Sequence, residues 1–443
     1  MWEPISIDQL LVGHYVRLNY PWYAHPFLHS KFYIASQRDI DLLREQRLVK
    51  LSHDPDLARF CDGDEPAVPA TPANSPADPA PVAPAAVAAN SVQPVVTEGQ
   101  RAKQQAMQWS REQTQRVQVC SESFARDAVA LAPTVDELAA GDAGAFTTID
   151  TLTQQVLAEA GVENARPIYV GQGFAKAWGT QAGIEGRSAM TLAALLTSQL
   201  GLDDATRRHV LLAMALHGLG ARQFSASQRL DDGWTRGRGR VRDRYLDYPN
   251  IGADLLTKFE CIPSEVVHVV RQHRELLDGS GFPAGLQGEA IHRGALIVGL
   301  VREFLTLTSE LRAPAPMSPA TVMAHFYKNR RARYGEEIVN TFVALLTVYP
   351  PGTFLEITGG DIGFVLACNP RKRLTPMIMV IDGSERFEDC EVIDLSSTAE
   401  FKVERIFRRD QLPTAGREFA WANARGGLAI DAPGASASAG AGQ

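Results

Sequence analysis

The chain has 443 residues, of which 45% are hydrophobic and 21% charged, so it can bury a substantial core and form two or three domains. A formal net charge of −7 excludes an extended basic surface that would follow a nucleic-acid backbone, so we expect no nucleic-acid partner. No apolar run reaches the roughly 18 to 20 residues that cross a bilayer, and no signal peptide is evident, so we expect a cytoplasmic protein without membrane insertion.

Residues 1–62 are predicted to form a small N-terminal domain with short strands. Tyr15-Val16-Arg17-Leu18 has alternating apolar positions, and Phe32-Tyr33-Ile34 is a second strand-like run. A helical pattern follows from Asp39 to Gln46, and Val49-Lys50-Leu51 could pair back as a further strand. The pattern indicates a compact unit that contains β-structure.

The segments between and after the domains have a different composition. Residues 63–99 are mostly Pro, Ala and Val with few large side chains, which predicts a flexible, partly extended linker. Residues 100–132 are rich in Gln, Arg, Ala and Glu and contain no Gly or Pro, which predicts a connecting helix that could also be a dimer contact. Residues 426–443 are predicted to be a disordered tail.

Residues 133–410 are predicted to contain a helical core with a C-terminal extension. The helix from Thr206 to Leu216 has an apolar face that continues to His217. Another helix begins at Pro263 and has an apolar face that includes His273. Both histidines are therefore expected to face an interior.

Beyond Ser318 the pattern begins with helices and then changes to strand-like stretches at 353–357 and 363–366. The predicted fold class is therefore mainly α. We expect a helical bundle with a small β-containing N-terminal domain and a mixed α/β C-terminal extension.

The most informative stretch runs from Gln272 to Leu286, where a helix end with a histidine enters a glycine-rich loop. It resembles the signature H-H-E-x-x-D-G-x-G-Y-P-x-G-L of the HD-GYP family, metal-dependent phosphodiesterases of cyclic di-GMP. Arg274 stands at the second histidine and Phe282 at the tyrosine. Upstream, residues 216–221 resemble the family string L-H-D-I-G-K. Residues 22–27 resemble the small domain of unknown function that often precedes HD-GYP domains. The resemblance implies an HD-type helical bundle.

Hydrolysis of a phosphodiester by two or three metal ions needs several converging imidazole and carboxylate ligands. The resemblance implies that His217 and His273 are remnant metal-site positions. The other expected polar positions hold different residues, namely Arg187, Gly218, Ala221, Tyr248, Arg274 and Arg302. Five scattered cysteines without a C-x-x-C pair do not suggest a zinc site. We therefore expect no metal, no cofactor and no catalytic residue. If the site were active, iron or manganese would be implied, with Glu303 as a substitute ligand.

Three arginines are expected to surround the pocket that holds the metals and the cyclic dinucleotide in the family, namely Arg187, Arg274 and Arg302. Guanidinium groups bind phosphates bidentately without a metal, so these residues are predicted phosphate ligands. The alternative is that each arginine forms an ion pair with a nearby acid, such as Glu185, Glu275 or Glu303.

The loop after His273 carries a second prediction. Glycines at 279 and 281 allow positive φ and Pro283 stiffens the chain, so the loop should hold Phe282 outward. We predict a partner-binding loop formed by Asp278, Gly279, Gly281, Phe282 and Pro283. The alternative is a turn that merely closes off a helix. In the family this loop is implicated in contacts with GGDEF-type diguanylate cyclases, so the resemblance implies such a cyclase as a partner.

Three hypotheses for function follow. The first is a catalytically degenerate HD-GYP protein that acts as a signalling scaffold or regulator in cyclic di-GMP pathways. The second is a metal-free cyclic di-GMP receptor, and the third is a cyclic di-GMP phosphodiesterase with an atypical metal site. Stoichiometric metal in the purified protein would favour the enzyme, and nucleotide binding in chelator would favour the receptor. The absence of both would favour the scaffold.

Overall fold

The computed structural model describes residues 2–20, 25, 27, 29–59, 98–160, 167–170, 181–224, 245–308, 317–367, 372–381, 390–398, 401–407, 411–417 and 428–431. The chain divides into two compact units, Met1–Trp109 and Ser110–Gln443. Residues 63–97 of the predicted linker at 63–99 lie outside the described residues, and its last two residues, Glu98 and Gly99, are instead the start of a helix. Residues 22–24 and 26 of the N-terminal string also lie outside the described residues.

The first unit contains a four-stranded antiparallel sheet in the order β1-β4-β2-β3. The elements in chain order are β1 (Glu3–Pro4), β2 (Tyr15–Leu18), β3 (Lys31–Tyr33), α1 (Gln37–Glu45) and β4 (Leu51–Asp54). Because side chains alternate along a strand, Val16 and Leu18 share one face, where they join a core with Ile40 and Leu43 of α1. The predicted strand at 15–18 and the helix near 39–46 are confirmed.

A helix of 42 residues, α2 (Glu98–Ala139), contains the predicted connecting helix and extends beyond residue 132. Pro133 lies inside it. The helix continues past the proline because Val135 and Leu138 are buried in the same core as Leu131. Apolar burial therefore outweighs the local tendency of proline to end a helix.

The helical bundle of the second unit surrounds one large apolar core. Its further helices are α3 (Gly144–Glu159), α4 (Gln181–Gln199), α5 (Asp204–Leu216), α6 (Tyr248–Leu256), α7 (Ser264–Gln272), α8 (Arg293–Thr308), α9 (Pro319–Asn329), α10 (Arg331–Tyr334) and α11 (Glu336–Leu346). Short 3-10 turns occur at Ile7–Gln9, Pro55–Leu57, Gly220–Gln223 and Gly288–Ala290. Within the described ranges, no helix has the length and apolarity to span a bilayer.

The C-terminal part contains a five-stranded antiparallel sheet in the order β10-β6-β7-β8-β9. Together with a separate antiparallel pair of strands, its elements are β5 (Pro167–Val170), β6 (Phe354–Ile357), β7 (Asp361–Ala367), β8 (Met377–Ile381), β9 (Glu391–Asp394), β10 (Val403–Ile406) and β11 (Leu428–Asp431). The predicted fold class, mainly α with β-structure at both ends, is confirmed.

One correction concerns the tail predicted to be disordered. Leu428–Asp431 forms a strand that pairs with Pro167–Val170, so the prediction is wrong for these four residues. The backbone groups of each strand find partners across the sequence, which local composition does not reveal. The rest of the predicted tail lies outside the described residues.

Candidate functional site

Two histidines meet where two helices of the bundle end. His217 directly follows α5, and His273 directly follows α7. The apolar faces of both helices pack in the core, which brings the two imidazole rings to a centroid distance of 5.2 Å in an edge-to-face arrangement. His273 is buried, at 1% exposure, whereas His217 is half-buried. The predicted proximity of these histidines to an interior therefore holds.

Both rings are oriented by the backbone of the preceding helical turn. Nδ1 of His217 lies 2.7 Å from the carbonyl oxygen of Met214, and Nδ1 of His273 lies 2.6 Å from that of Val270. A carbonyl oxygen can only accept, so each Nδ1 carries a proton and donates it. In a neutral ring, Nε2 is then the atom with the free lone pair. Metal-binding histidines are commonly oriented in the same way.

Tyr248, the first residue of α6, lies against the second ring. Its hydroxyl is 2.8 Å from Nε2 of His273. Because Nδ1 of His273 holds the ring proton, the tyrosine O–H donates and Nε2 accepts. The approach of α6 depends on a small residue at 220, since a Cβ on Gly220 would lie 1.9 Å from the carbonyl oxygen of Tyr248.

The electrostatic environment keeps His273 neutral. Burial lowers the pKa of His273 well below its ordinary value, and the His217 ring and the Arg302 guanidinium also lower it. A neutral ring is consistent with an Nε2 that accepts the tyrosine hydroxyl. The site therefore contains the buried, hydrogen-bonded pair of Tyr248 and His273, with cationic Arg302 near His273.

Arg187 does not belong to this site, contrary to the prediction of a phosphate-binding role. It is 3% exposed, and its Nε donates to Asp127 of α2 at 2.9 Å. Its other guanidinium nitrogens donate to Glu159 of α3 and to the hydroxyl of Thr191. The ion-pair alternative is correct for Arg187, although its partners are not the predicted acids. Helix α4 presents this side chain to α2 and α3, so it joins three helices.

Arg274 and Arg302 have different surroundings. The Arg274 guanidinium lies over the ring of Phe282, 5.0 Å from its centroid. Arg302 is close enough to His273 to influence its pKa. Phosphate binding by these two arginines stays a prediction.

Phe282 is buried rather than held outward, which corrects the prediction. It is 7% exposed and packs in an aromatic cluster with Phe224, Tyr245 and Tyr248. The loop folds inward because its amide N–H groups have acceptors inside the protein. The Phe282 N–H, for example, donates to the carbonyl oxygen of Arg274 at 3.1 Å.

Glu275 holds the rest of the loop. Its buried carboxylate accepts the N–H of Ala284 at 2.7 Å and of Leu286 at 3.0 Å. Gly281 is required by the same fold, because a Cβ there would lie 2.4 Å from the nitrogen of Leu276. Gly279 has a φ of 76°, which favours glycine. The loop is therefore an integral part of the domain.

The outer side of the loop contacts α10. Asp278 forms an ion pair with Arg333 at 3.1 Å, and the Leu277 N–H donates to the carbonyl oxygen of Arg333. Asp278 is exposed and Pro283 is half-buried. Any docking surface on this loop would use such residues and not the Phe282 ring.

Two family models and two characterised proteins match parts of the chain. Residues 3–143 match the model of a domain of unknown function, DUF3391, and residues 178–338 match the model of the HD domain. The chain is 26% identical over 189 residues to the cyclic di-GMP phosphodiesterase PA4108 of Pseudomonas aeruginosa, which covers 42% of this chain and 44% of that protein. It is 30% identical over 167 residues to the cyclic di-GMP phosphodiesterase response regulator RpfG of Xanthomonas campestris, which covers 37% and 43%.

This chain contains an HD domain preceded by a DUF3391 domain, and it is similar to cyclic di-GMP phosphodiesterases. Both predicted resemblances, to the HD-GYP domain and to the small domain before it, are confirmed. The chain spans less than half the length of these two relatives. A solved HDG"Y"P protein from Bdellovibrio bacteriovorus is similar over 77% of this chain and 98% of that chain, with 12% identity and a TM-score of 0.39.

The donor set of this HD domain does not fit the metal centre that the resemblance to the HD-GYP family implies. A cluster of iron or manganese ions needs carboxylates that bridge the metals, and position 218 is a glycine. In the part of the chain that the structure describes, no three His, Cys, Asp or Glu side chains are grouped to hold a metal. The lone pair on Nε2 of His273 is engaged by Tyr248.

Glu303 does not supply the missing carboxylate. It accepts a hydrogen bond from Nε of Arg330 at 2.7 Å and another from the hydroxyl of Tyr334 at 2.7 Å. Helix α8 thus directs Glu303 toward Arg330 and Tyr334, while the charge of the adjacent Arg302 influences both His273 and Tyr334. The predicted substitution of a ligand by Glu303 is therefore not supported by its position.

Two functional roles are not apparent from the sequence. The Tyr248 hydroxyl acts as the partner of His273, and the Glu275 carboxylate acts as the anchor of the loop. The sequence signal for Tyr248 is a hydroxyl donor at a position where the family has a histidine. The signal for the second was an acidic residue directly before a loop rich in unpaired amides.

Proposed function

We propose that this HD-GYP protein is a non-catalytic signalling scaffold or regulator in cyclic di-GMP pathways. One observation carries the proposal: the hydroxyl of Tyr248 donates to Nε2 of His273, the lone pair that a catalytic metal would need. The glycine at 218 adds to this, because it offers no carboxylate beside His217. Two imidazoles, one of them already hydrogen-bonded, supply too few ligands to activate a water molecule for phosphodiester hydrolysis.

A hydrolysis assay tests the proposal. The full chain is incubated with cyclic di-GMP and either Fe²⁺ or Mn²⁺ under reducing conditions, and the products are separated by chromatography. We expect neither the linear dinucleotide nor GMP, while PA4108 treated in parallel provides the positive control. Turnover by the wild-type chain that is abolished in His217→Ala would overturn the proposal. Metal analysis of the purified protein is expected to find less than one equivalent.

A metal-free receptor is the second candidate, and the position of Arg302 favours it. Its guanidinium carries charge near His273, and a Cβ on Gly218 would meet no described residue within 4 Å. Arginine binds phosphate groups without a metal. Calorimetry with cyclic di-GMP in chelator should then give binding that weakens with salt and with Arg302→Ala. Arg331→Ala, on α10, is the matched control. If cyclic di-GMP gives no heat of binding with a folded sample, this candidate is excluded.

The loop from Asp278 to Pro283 is proposed as the contact with a GGDEF-type cyclase, through its exposed side. Ala284 is exposed next to this segment, and Ala332 is an exposed alanine on α10. Ala284→Arg should weaken capture of a purified cyclase, and Ala332→Arg should leave it unchanged. Equal capture by both variants would exclude the loop as the docking surface.

A further inference from the structure

A group of titratable side chains lies away from the histidine pair, where α5, α7 and the start of α8 meet. His209 belongs to α5, Glu265 and His268 belong to α7, and His292 directly precedes α8. His209, Glu265 and His268 each influence the pKa of His292. The structure therefore places three imidazoles and one carboxylate within electrostatic reach of one another.

His292 caps the N-terminus of α8 with its ring. The N–H of Gly294 donates to Nδ1 of His292 at 3.0 Å, and the N–H of Ala295 donates to the His292 carbonyl oxygen at 2.8 Å. The first N–H groups of a helix have no partner within the helix, so this ring satisfies one of them. Only an unprotonated Nδ1 can accept a hydrogen bond, so the cap requires the neutral ring.

The backbone at the start of α8 is also fixed in place. The His292 backbone N–H donates to Oε1 of Gln272 at 2.6 Å, which joins the start of α8 to the end of α7. A Cβ on Gly294 would meet Val210 at 2.9 Å, Nδ1 of His292 at 3.0 Å and Val269 at 3.1 Å. The start of α8 thus packs closely against α5 and α7.

Protonation would remove the cap and add an unfavourable charge. A cationic ring can no longer accept the Gly294 N–H, and a positive charge at a helix N-terminus opposes the helix dipole. His209, His268 and Glu265 are the neighbouring titratable groups, and Glu265 carries the opposing charge. Arg293, the other cation at this helix start, is paired with Glu337 of α11 at 2.9 Å.

We propose that His292 is an acid-sensitive latch: its neutral ring holds the first turn of α8 closed, and its protonation beside His209 and His268 opens that turn. Helix α8 carries Arg302, which lies near His273. The latch therefore connects proton concentration to the helix that borders the histidine pair. This inference does not rest on the proposed scaffold function.

The sign of the effect follows from the folded environment. Burial, followed by the charge of His268, lowers the pKa of His292 below the ordinary value of 6.5. A histidine with a lowered pKa contributes stability that is complete above the unfolded pKa and is lost as the pH falls through the folded pKa. The turn should therefore be closed at neutral pH and should open on acidification below 6.5.

Hydrogen exchange of the full chain, corrected for intrinsic rates, tests the latch at the amides of residues 293–297. Between about pH 7.5 and about pH 5.5, opening of this turn should become about tenfold more frequent in the wild type. His292→Asn keeps a neutral acceptor for the Gly294 N–H and should abolish this response. His325→Asn, on α9, should retain it. Equal protection of the wild type at both pH values, or a full response in His292→Asn, would overturn the proposal.

Two further variants leave the capping ring intact and test the charges around it. His268 lowers the pKa of His292 and Glu265 raises it. His268→Asn should therefore move the midpoint of opening to higher pH, and Glu265→Gln should move it to lower pH. Midpoints that are unchanged in both variants would show that a different group controls the opening, which would also overturn the proposal.

Discussion

The hydroxyl of Tyr248 lies 2.8 Å from Nε2 of His273 and donates to it. This hydrogen bond satisfies a lone pair that would otherwise be buried without a partner, because His273 is 1% exposed. A neutral hydroxyl performs this task without the carboxylates that a divalent metal would need to balance its charge.

Tyr248→Phe should lower the free energy of unfolding by about 2 kcal/mol, because it leaves the buried Nε2 of His273 without a donor. Thermal or denaturant unfolding measures the loss. Tyr327→Phe is the matched control, since Tyr327 is 52% exposed and its hydroxyl is accessible to water. Equal stability of the two variants would contradict the assigned hydrogen bond.

Phe282→Ala should lower the free energy of unfolding by about 3 kcal/mol, because it removes a ring from the aromatic cluster around Tyr248. Leu374→Ala, at a side chain that is 64% exposed, should change it by less than about 0.5 kcal/mol. Denaturant titration distinguishes the two cases. A Phe282→Ala protein with wild-type stability and weakened partner capture would instead restore the docking role.

Alanine at two neighbouring glycines should have opposite consequences. Among the residues that the structure describes, a Cβ at 218 meets nothing within 4 Å, whereas a Cβ at 220 would lie 1.9 Å from the Tyr248 carbonyl oxygen. Gly218→Ala should therefore be nearly neutral, while Gly220→Ala should destabilise the fold by about 3 kcal/mol as α6 is displaced. Melting temperatures of the two variants give the test, and similar values would show that α6 does not approach the turn so closely.

Arg187→Met should destabilise the chain by about 3 to 5 kcal/mol, because it leaves Asp127 buried without its cation. Adding Asp127→Asn should recover part of the loss. Arg405→Met is the control, since Arg405 pairs with Glu356 while 63% exposed and should contribute about 1 kcal/mol or less. A small effect of Arg187→Met would mean that the ion pair does not hold α2 and α4 together.

Thr347→Gly should stabilise the chain by about 1 kcal/mol, because Thr347 has a φ of 59° that a β-branched residue adopts only with strain. Thr353 is a matched control, since it is also buried with an unpartnered hydroxyl but lies outside the left-handed region. Thr353→Gly should destabilise. If Thr347→Gly also lowered the melting temperature, the strain would be compensated by packing.

Several properties of this chain follow from local sequence pattern alone. The helical faces that end in His217 and His273 follow from spacing, because residues three and four apart lie on one side of a helix. The strand at Tyr15–Leu18 follows from alternation. The glycine-punctuated stretch from 272 to 286 was sufficient to indicate the family. Each of these signals is contained within about 15 residues of chain.

Other properties were decided only by the tertiary structure. Arg187 pairs with an aspartate 60 positions away, and Tyr248 contacts a histidine 25 positions away. The sequence contains all of these groups but not their distances, so it predicts neither the pairing of Arg187 with Asp127 nor the contact of Tyr248 with His273. Phe282 was expected outward because glycines and a proline fix a loop's shape but not the side on which it packs. That side was set by the Glu275 carboxylate, which accepts amides at 284 and 286, and by the aromatic cluster.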